Sequence, residues 1–142
     1  MDRRTRAREL AMQLLYQLDV QGDCVLDRMG EFLAEYEKDL AVRTLAAQWT
    51  EGAWNHVSHC DELIMTATIK WQFSRLSPVD RSILRLAVYQ LRWCRDIPPK
   101  VVMNEAIEIA KKYSTDKSPG FVNGVLDSVL RKLKAKADNQ GR

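Results

Sequence analysis

The sequence predicts an all-α protein, a compact bundle of about seven helices in two subbundles. Three observations carry this reading. Apolar residues recur at spacings of three and four, while the period-two alternation of strands is missing and β-branched runs are short. Serine–proline pairs at Ser77-Pro78 and Ser118-Pro119 punctuate the pattern as helix starts. The chain has 142 residues, 46% hydrophobic and 29% charged, which suits a folded domain with a core and not a disordered segment. No long linker, repeat or low-complexity segment interrupts it, so one domain over residues 1–142 is expected.

The first helix is expected from about Arg3 to Val20, with Ala7, Leu10, Ala11, Leu14, Leu15 and Leu18 on one face, ended by Gln21-Gly22-Asp23. The second covers about Leu26 to Glu37 on Met29, Phe32, Leu33 and Tyr36. The third runs from about Leu40 to Val57 on Leu45, Trp49, Ala53 and Trp54, and the fourth from about Asp61 to Trp71 on Leu63, Ile64, Ala67 and Ile69. Ser77 caps the fifth helix, Pro78 has no N–H to lose there, and Asp80 sits near the positive helix end. This helix runs to about Trp93. Its stripe of Ile83, Leu84, Ala87, Val88 and Leu91 is too wide for a single contact, so it is expected to be central and most buried. Ile97-Pro98-Pro99 is a rigid break. The sixth helix covers about Lys100 to Tyr113, and the seventh runs from Ser118-Pro119 to about Lys136, with the tail from Ala137 to Arg142 expected to fray. A division between subbundles falls near Leu40 or near Ser77, and periodicity does not choose.

Composition removes several function classes. No apolar run approaches the roughly 18 residues that span a bilayer. The start, MDRRTRAREL, has charge but no following apolar segment, so no secretory signal is expected. Cys24, Cys60 and Cys94 are far apart and odd in number, which reads as buried free thiols in a reducing cytoplasm. Neither a glycine-rich phosphate loop nor Gly-x-Ser-x-Gly occurs, so no enzyme and no cofactor are expected. His56 and Cys60 share a helical face beside His59, yet a closed zinc site needs four ligands and no second cluster supplies the rest, so no metal site is expected.

What remains is charge placement. The net charge of +3 is modest, but Arg3, Arg4, Arg6 and Arg8 crowd one end and Arg131, Lys132, Lys134 and Lys136 the other. They make a basic surface if the ends meet, and solvated helix termini if they do not. Arg4 and Arg8 share a helical face, with Arg3 and Arg6 nearby. Arginine grips phosphate with a planar fork and stacks on bases, and arginines at a helix start oppose the macrodipole unless an anion is the partner. Aromatics beside basic residues would complete a single-strand site; Tyr16, Phe121, Tyr113 and the tryptophans are candidates, most of them expected in the core, while Phe121 beside Lys117 divides evenly between exposure and the core. Asn123-Gly124 breaks helix propensity near a helix start, which points to close packing or a contact, and Asn104 is expected to tie helices together in the core.

Three ordered blocks carry a family resemblance. RRTRARELAMQLLYQLD, SPVDRSILRLAVYQL and IPPKVVMNEAIEIAKKYSTDKSPGFVNGVLDSVL together resemble the transcription antitermination factor NusB family, while the segment from Val25 to Phe73 adds only helical character. The resemblance implies seven helices in two subbundles and a non-catalytic, cytoplasmic role. It implies pairing with ribosomal protein NusE, binding of boxA single-stranded RNA, entry into the RNA polymerase antitermination complex and support of ribosomal RNA transcription, with a homodimer as a further state. By position it assigns RNA binding to Arg4, Arg6, Arg8, Tyr16, Lys117, Phe121 and Asn123, and NusE binding to Asp80 and Arg85. Many members carry an acid directly before the serine of the last block, where Lys117 stands here and Asp116 lies one earlier. The domain also resembles the N-terminal RNA-binding module of a ribosomal RNA cytosine methyltransferase. That enzyme needs a large Rossmann-like domain with catalytic cysteines, which a chain ending at Arg142 is expected to lack. A helical protein–protein module without RNA is the third reading.

Overall fold

Helical periodicity dictates the architecture of the computed structural model, which describes residues 1–68 and 73–140. Seven α-helices appear among the described residues: α1 (Arg3–Gln21), α2 (Met29–Tyr36), α3 (Leu40–Asn55), α4 (Val57–Ala67), α5 (Pro78–Trp93), α6 (Pro99–Tyr113) and α7 (Ser118–Gln140). Short 3-10 turns at Asp23–Arg28 and Phe73–Arg75 complete it. The second helix starts later than its pattern implied because the 3-10 turn takes up the first of those residues. The fourth starts four residues earlier, since the chain kinks at His56 and Val57, Cys60 and Ile64 then continue the inward face. Ile69 and Trp71, expected in that helix, lie outside the described residues. Helix α7 continues through Gln140, past the expected end near Lys136.

Ser77 and Gly22 bound their helices as the sequence indicated, and Asp2 adds a cap that was not expected. Ser77 Oγ accepts from Asp80 N at 3.1 Å at the start of α5. Asp2 caps α1, accepting from the backbone N–H groups of Arg4 and Thr5. This carboxylate at the positive helix end offsets the arginines that follow. Gly22 ends α1 at φ 88°, in the left-handed region that favours glycine, and its N–H bonds Leu18 O.

Helices α1, α2 and α3 form one subbundle and α4 to α7 the other, so the division falls at His56, not near Leu40 or Ser77. Helix α5 is the central element: it packs on α1, α3, α4, α6 and α7, and nine of its sixteen residues are buried, as its wide stripe required. One hydrophobic core runs through both subbundles, from Leu10, Leu14 and Leu18 through Ile83, Leu84 and Val88 to Val122, Leu126 and Val129. Asn104 is exposed on α6 and ties nothing inside this core, because it falls between the inward turns set by Val102 and Ala106.

A polar clamp crosses the core. Arg85, 7% exposed, donates to Asp19 of α1 at 2.7 Å and to both oxygens of Asp61 of α4 at 2.8 and 2.9 Å. Arg81, one turn earlier, donates to both Asp19 oxygens at 3.2 and 2.7 Å. Phe73 lies under both guanidinium groups, at 5.5 and 5.6 Å. Burial opposes ionisation of Asp19, but the hydrogen bonds from Arg81 and Arg85 outweigh it and hold the carboxyl below its ordinary value. A depressed folded-state value stabilises the fold above the unfolded value, near 3.9, and this contribution is lost as pH falls through the folded value.

Two expectations follow for stability. Asp19→Asn should cost about 3 kcal/mol at pH 7 in urea denaturation, and the gap to the wild type should close as the pH is lowered below about 4. At Gly52, a Cβ would overlap the Tyr89 ring and hydroxyl, and that ring is stacked beside Trp93 and His56. Gly52→Ala should therefore destabilise by about 1–3 kcal/mol despite its better helix propensity. In a Tyr89→Ala background the same change should stabilise, by up to about 1 kcal/mol in the same assay.

Candidate nucleic-acid interface

Three shallow grooves follow one another along one side of the molecule. The first is lined by Arg3, Arg6 and Glu9 of α1, by Glu37 and Asp39, and by Lys112 of α6. The second is lined by Met12, Gln13, Tyr16 and Gln17 of α1, with Val79 and Tyr113. The third, with a volume of about 270 Å³, is lined by Arg75, Asp80, Thr115, Lys117, Ser118 and Phe121. Lys112 and Tyr113 join the first groove to the second, and Val79 and Asp80 join the second to the third. The basic first turn of α1 and the start of α7 thus lie at two ends of one seam. The other basic cluster, Arg131 to Lys136, stands on the far half of α7 and is not part of it.

The arginines divide by direction. Arg4 is exposed, and its side chain makes no ion pair among the described residues. Arg3 is exposed and pairs with Asp39 at 2.8 Å. Arg6 is half-buried, donating to Glu37 at 3.2 Å and to Tyr36 O at 3.1 Å, with Glu9 at 3.5 Å. Arg8 is interior, 2% exposed. Its Nε donates to Gln90 Oε1 at 3.2 Å, its Nη1 stands 3.5 Å from Glu105, and its guanidinium lies over the Trp49 ring at 5.0 Å. Arg8 is therefore removed from the surface on which a phosphate chain would lie. It follows Ala7 into the core and precedes Met12 and Leu15 on the same face.

At the other end a hydroxyl cluster sets the start of α7. Asp80 accepts from Ser114 Oγ at 2.6 Å and from Ser118 Oγ at 3.0 Å, and Ser118 lies 2.8 Å from Ser114 and 2.9 Å from Thr115. This fastens the loop from Ser114 to Ser118 onto α5 and holds Lys117, which is exposed, beside Phe121, which is half-buried against the core. Asn123 is exposed on the next part of α7. Asp80 is thus held by two serines on the wall of the third groove, and Arg85 is turned inward to carboxylates. Tyr16, 39% exposed, lines the middle groove.

Lys112 and Gln13, which flank the candidate Tyr113 on the seam, were not singled out from sequence. Lys112 Nζ donates to Glu9 at 2.8 Å and lies 5.3 Å from the Tyr113 ring, while Gln13 donates to the Tyr113 hydroxyl at 3.4 Å. The Lys111-Lys112-Tyr113 run at the end of α6 was the available signal: a basic pair beside an aromatic. The histidine motif resolves differently. His56 stacks on Trp93 at 4.1 Å, His59 meets the same ring edge-on at 5.4 Å, and Cys60 is buried. Burial raises the Cys60 thiol to about 12, which keeps it protonated. No group of metal-ligating side chains occurs among the described residues. Cys24 is exposed, against the expectation that all three thiols are buried, because the 3-10 turn after Gly22 keeps Val25 inward and turns Cys24 out.

The family model of the NusB family matches residues 5–131. The chain is 42% identical over 140 residues to a transcription antitermination protein NusB of Syntrophus aciditrophicus, covering 99% of this chain and 87% of that protein. Its fold is similar to that of T. maritima NusB, with a TM-score of 0.79 and 36% identity over 92% of each chain. It is also similar to a chain in a crystal structure of antitermination factors NusB and NusE in complex with double-stranded RNA, with a TM-score of 0.84, 28% identity, and coverage of 93% of this chain and 98% of that one. No helix among the described residues is long and apolar enough to cross a membrane.

The interior position of Arg8 separates it from its neighbours. Arg8→Ala should lower stability by about 2–4 kcal/mol, through lost packing on Trp49 and a cavity beside Gln90. Arg4→Ala should leave the unfolding free energy from urea titration within about 0.5 kcal/mol of wild type.

Proposed function

The chain belongs to the NusB family, and on that premise we propose that it is a non-catalytic transcription antitermination factor. In this reading residues 1–142 form one RNA-binding domain. It binds boxA-type single-stranded RNA together with ribosomal protein NusE, joins the RNA polymerase antitermination complex in the cytoplasm, and supports ribosomal RNA transcription. The observation that carries the reading is the seam that joins the arginines of α1 to the Lys117–Phe121 start of α7. Its cations can neutralise phosphates, and Tyr16 and Phe121 place aromatic rings at partly exposed positions beside them, the combination of groups that unstacked bases require. A relative's structure with NusE and double-stranded RNA supports the two partner classes. The exposed Tyr16 ring favours the single-stranded form, because bases inside a duplex cannot stack on it.

Within this reading Arg4, Arg6 and Lys117 contact phosphates, Tyr16 and Phe121 contact bases, and Asn123 lies at the edge of the path. Arg8, Asp80 and Arg85 act indirectly by fixing the helices that carry those groups. Titrating labelled boxA RNA at several salt concentrations, with and without NusE, tests it. Binding should weaken with salt by about 0.7 log units per decade for each neutralised phosphate, and NusE should tighten it. Lys117→Ala should reduce that slope by about 0.7 without moving the unfolding midpoint, and Phe121→Ala should cost about 1–3 kcal/mol of affinity. Equal affinity for scrambled RNA, with no gain from NusE, would overturn the proposal.

A further inference from the structure

The three grooves of the seam differ in charge. The first is lined by Arg3, Arg6 and Lys112 with their carboxylates, and the third by Arg75, Lys117 and Asp80. The middle groove, of about 340 Å³, has no charged side chain in its lining among the described residues: Met12, Gln13, Tyr16, Gln17, Val79 and Tyr113. A phosphate gains little from such a wall. A flat, neutral ring with hydrogen-bonding edges gains from it on every side. A strand that rests its phosphates on the flanking cations therefore has a base to offer to the middle groove.

Helix geometry brings two amides to this groove. Gln13 and Gln17 are four apart on α1 and share one face, with Tyr16 beside them. The two amides are engaged differently. Gln13 Nε2 donates to the Tyr113 hydroxyl at 3.4 Å, which ties α6 to α1 and holds the Tyr113 ring at the groove. Gln17 is half-buried on the same wall, and its side chain makes no hydrogen bond among the described residues. An amide carries an acceptor and two donors side by side, the pattern that meets a base edge with two hydrogen bonds. Tyr16 of α1 and Tyr113 of α6 bring rings to the same groove, on which a base can stack. Resting on the RNA-binding reading, we propose that the middle groove takes one unstacked nucleobase and that the Gln17 amide reads its edge. Gln17 is then a specificity-determining residue, and Gln13 a positioning residue for Tyr113.

Titrating labelled boxA RNA, intact and with each nucleotide in turn made abasic, against the wild type and Gln17→Ala tests this. Without NusE, Gln17→Ala should bind the intact RNA about tenfold more weakly, with its salt dependence unchanged because no charge is removed. At one abasic position the two proteins should bind alike, while the tenfold gap persists at every other position. Gln17→Met, of similar length but without the amide, should behave as Gln17→Ala does, and urea unfolding of both should match the wild type. An equal loss at every abasic position, or no loss, would overturn the proposal. So would a loss seen only with NusE present, which would give the groove to the protein partner. If the wild type binds with the expected salt dependence and Gln17→Ala equals it, base reading fails alone. If the wild type shows no RNA binding, the RNA-binding reading fails with it.

Discussion

Arg85 cannot be buried without acceptors, and satisfying it locates three helices at once. Its guanidinium reaches Asp19 of α1 and Asp61 of α4 from the middle of α5. Apolar stripes alone would tolerate a slide of one turn between packed helices, because leucine against leucine looks much the same a turn away. A forked guanidinium between two carboxylates does not tolerate it, since a shift strands charges in a medium that penalises them heavily. The register of α1 against α5 is thereby fixed at Asp19, and every residue on the outer face of α1 inherits its position from that contact.

Asp80 does the same work at the other end of the seam with weaker groups. Ser114 and Ser118 donate to one carboxylate, with Thr115 on Ser118 behind them, and bring the close of α6 and the opening of α7 against α5. Lys117 and Phe121 consequently stand on a fastened corner, where ordering them on binding costs less than it would on a free loop. The seam is therefore set by two polar fixtures on α5, Arg85 for its α1 wall and Asp80 for its α7 wall.

Much of this was legible in the chain, and the exceptions share a cause. Helix α5 was readable because serine, proline and aspartate mark its start and its stripe is too wide for a peripheral helix. The start of α4 was misplaced because the apolar pattern alone does not show the break at His56, and the Asp61 carboxylate belongs to an arginine 24 positions on. The basic cluster of α1 was visible, but not which of its members turn inward; the spacing of Arg8 to Met12 and Leu15 carried that information, and the arginine-rich local composition obscured it. The pairs Arg85–Asp19 and Asp80–Ser118 join residues 66 and 38 positions apart, and no local pattern announces such partners. The site was thus legible as a set of residue types and illegible as a division between those that meet solvent and those that hold the frame.

The acids on the first groove change what its arginines are worth. Glu9, Glu37 and Asp39 are already seated on Arg3, Arg6 and Lys112, as counter-ions built into the chain. An incoming polyanion must evict them or lie beside them, so it gains far less from this surface than from bare cations. Indiscriminate attraction to any nucleic acid is muted, and free salt ions have fewer vacancies to fill. On the proposed reading, selectivity then comes from the rings and the amide along the rest of the path, where the gain depends on which base is offered and not on how much charge arrives.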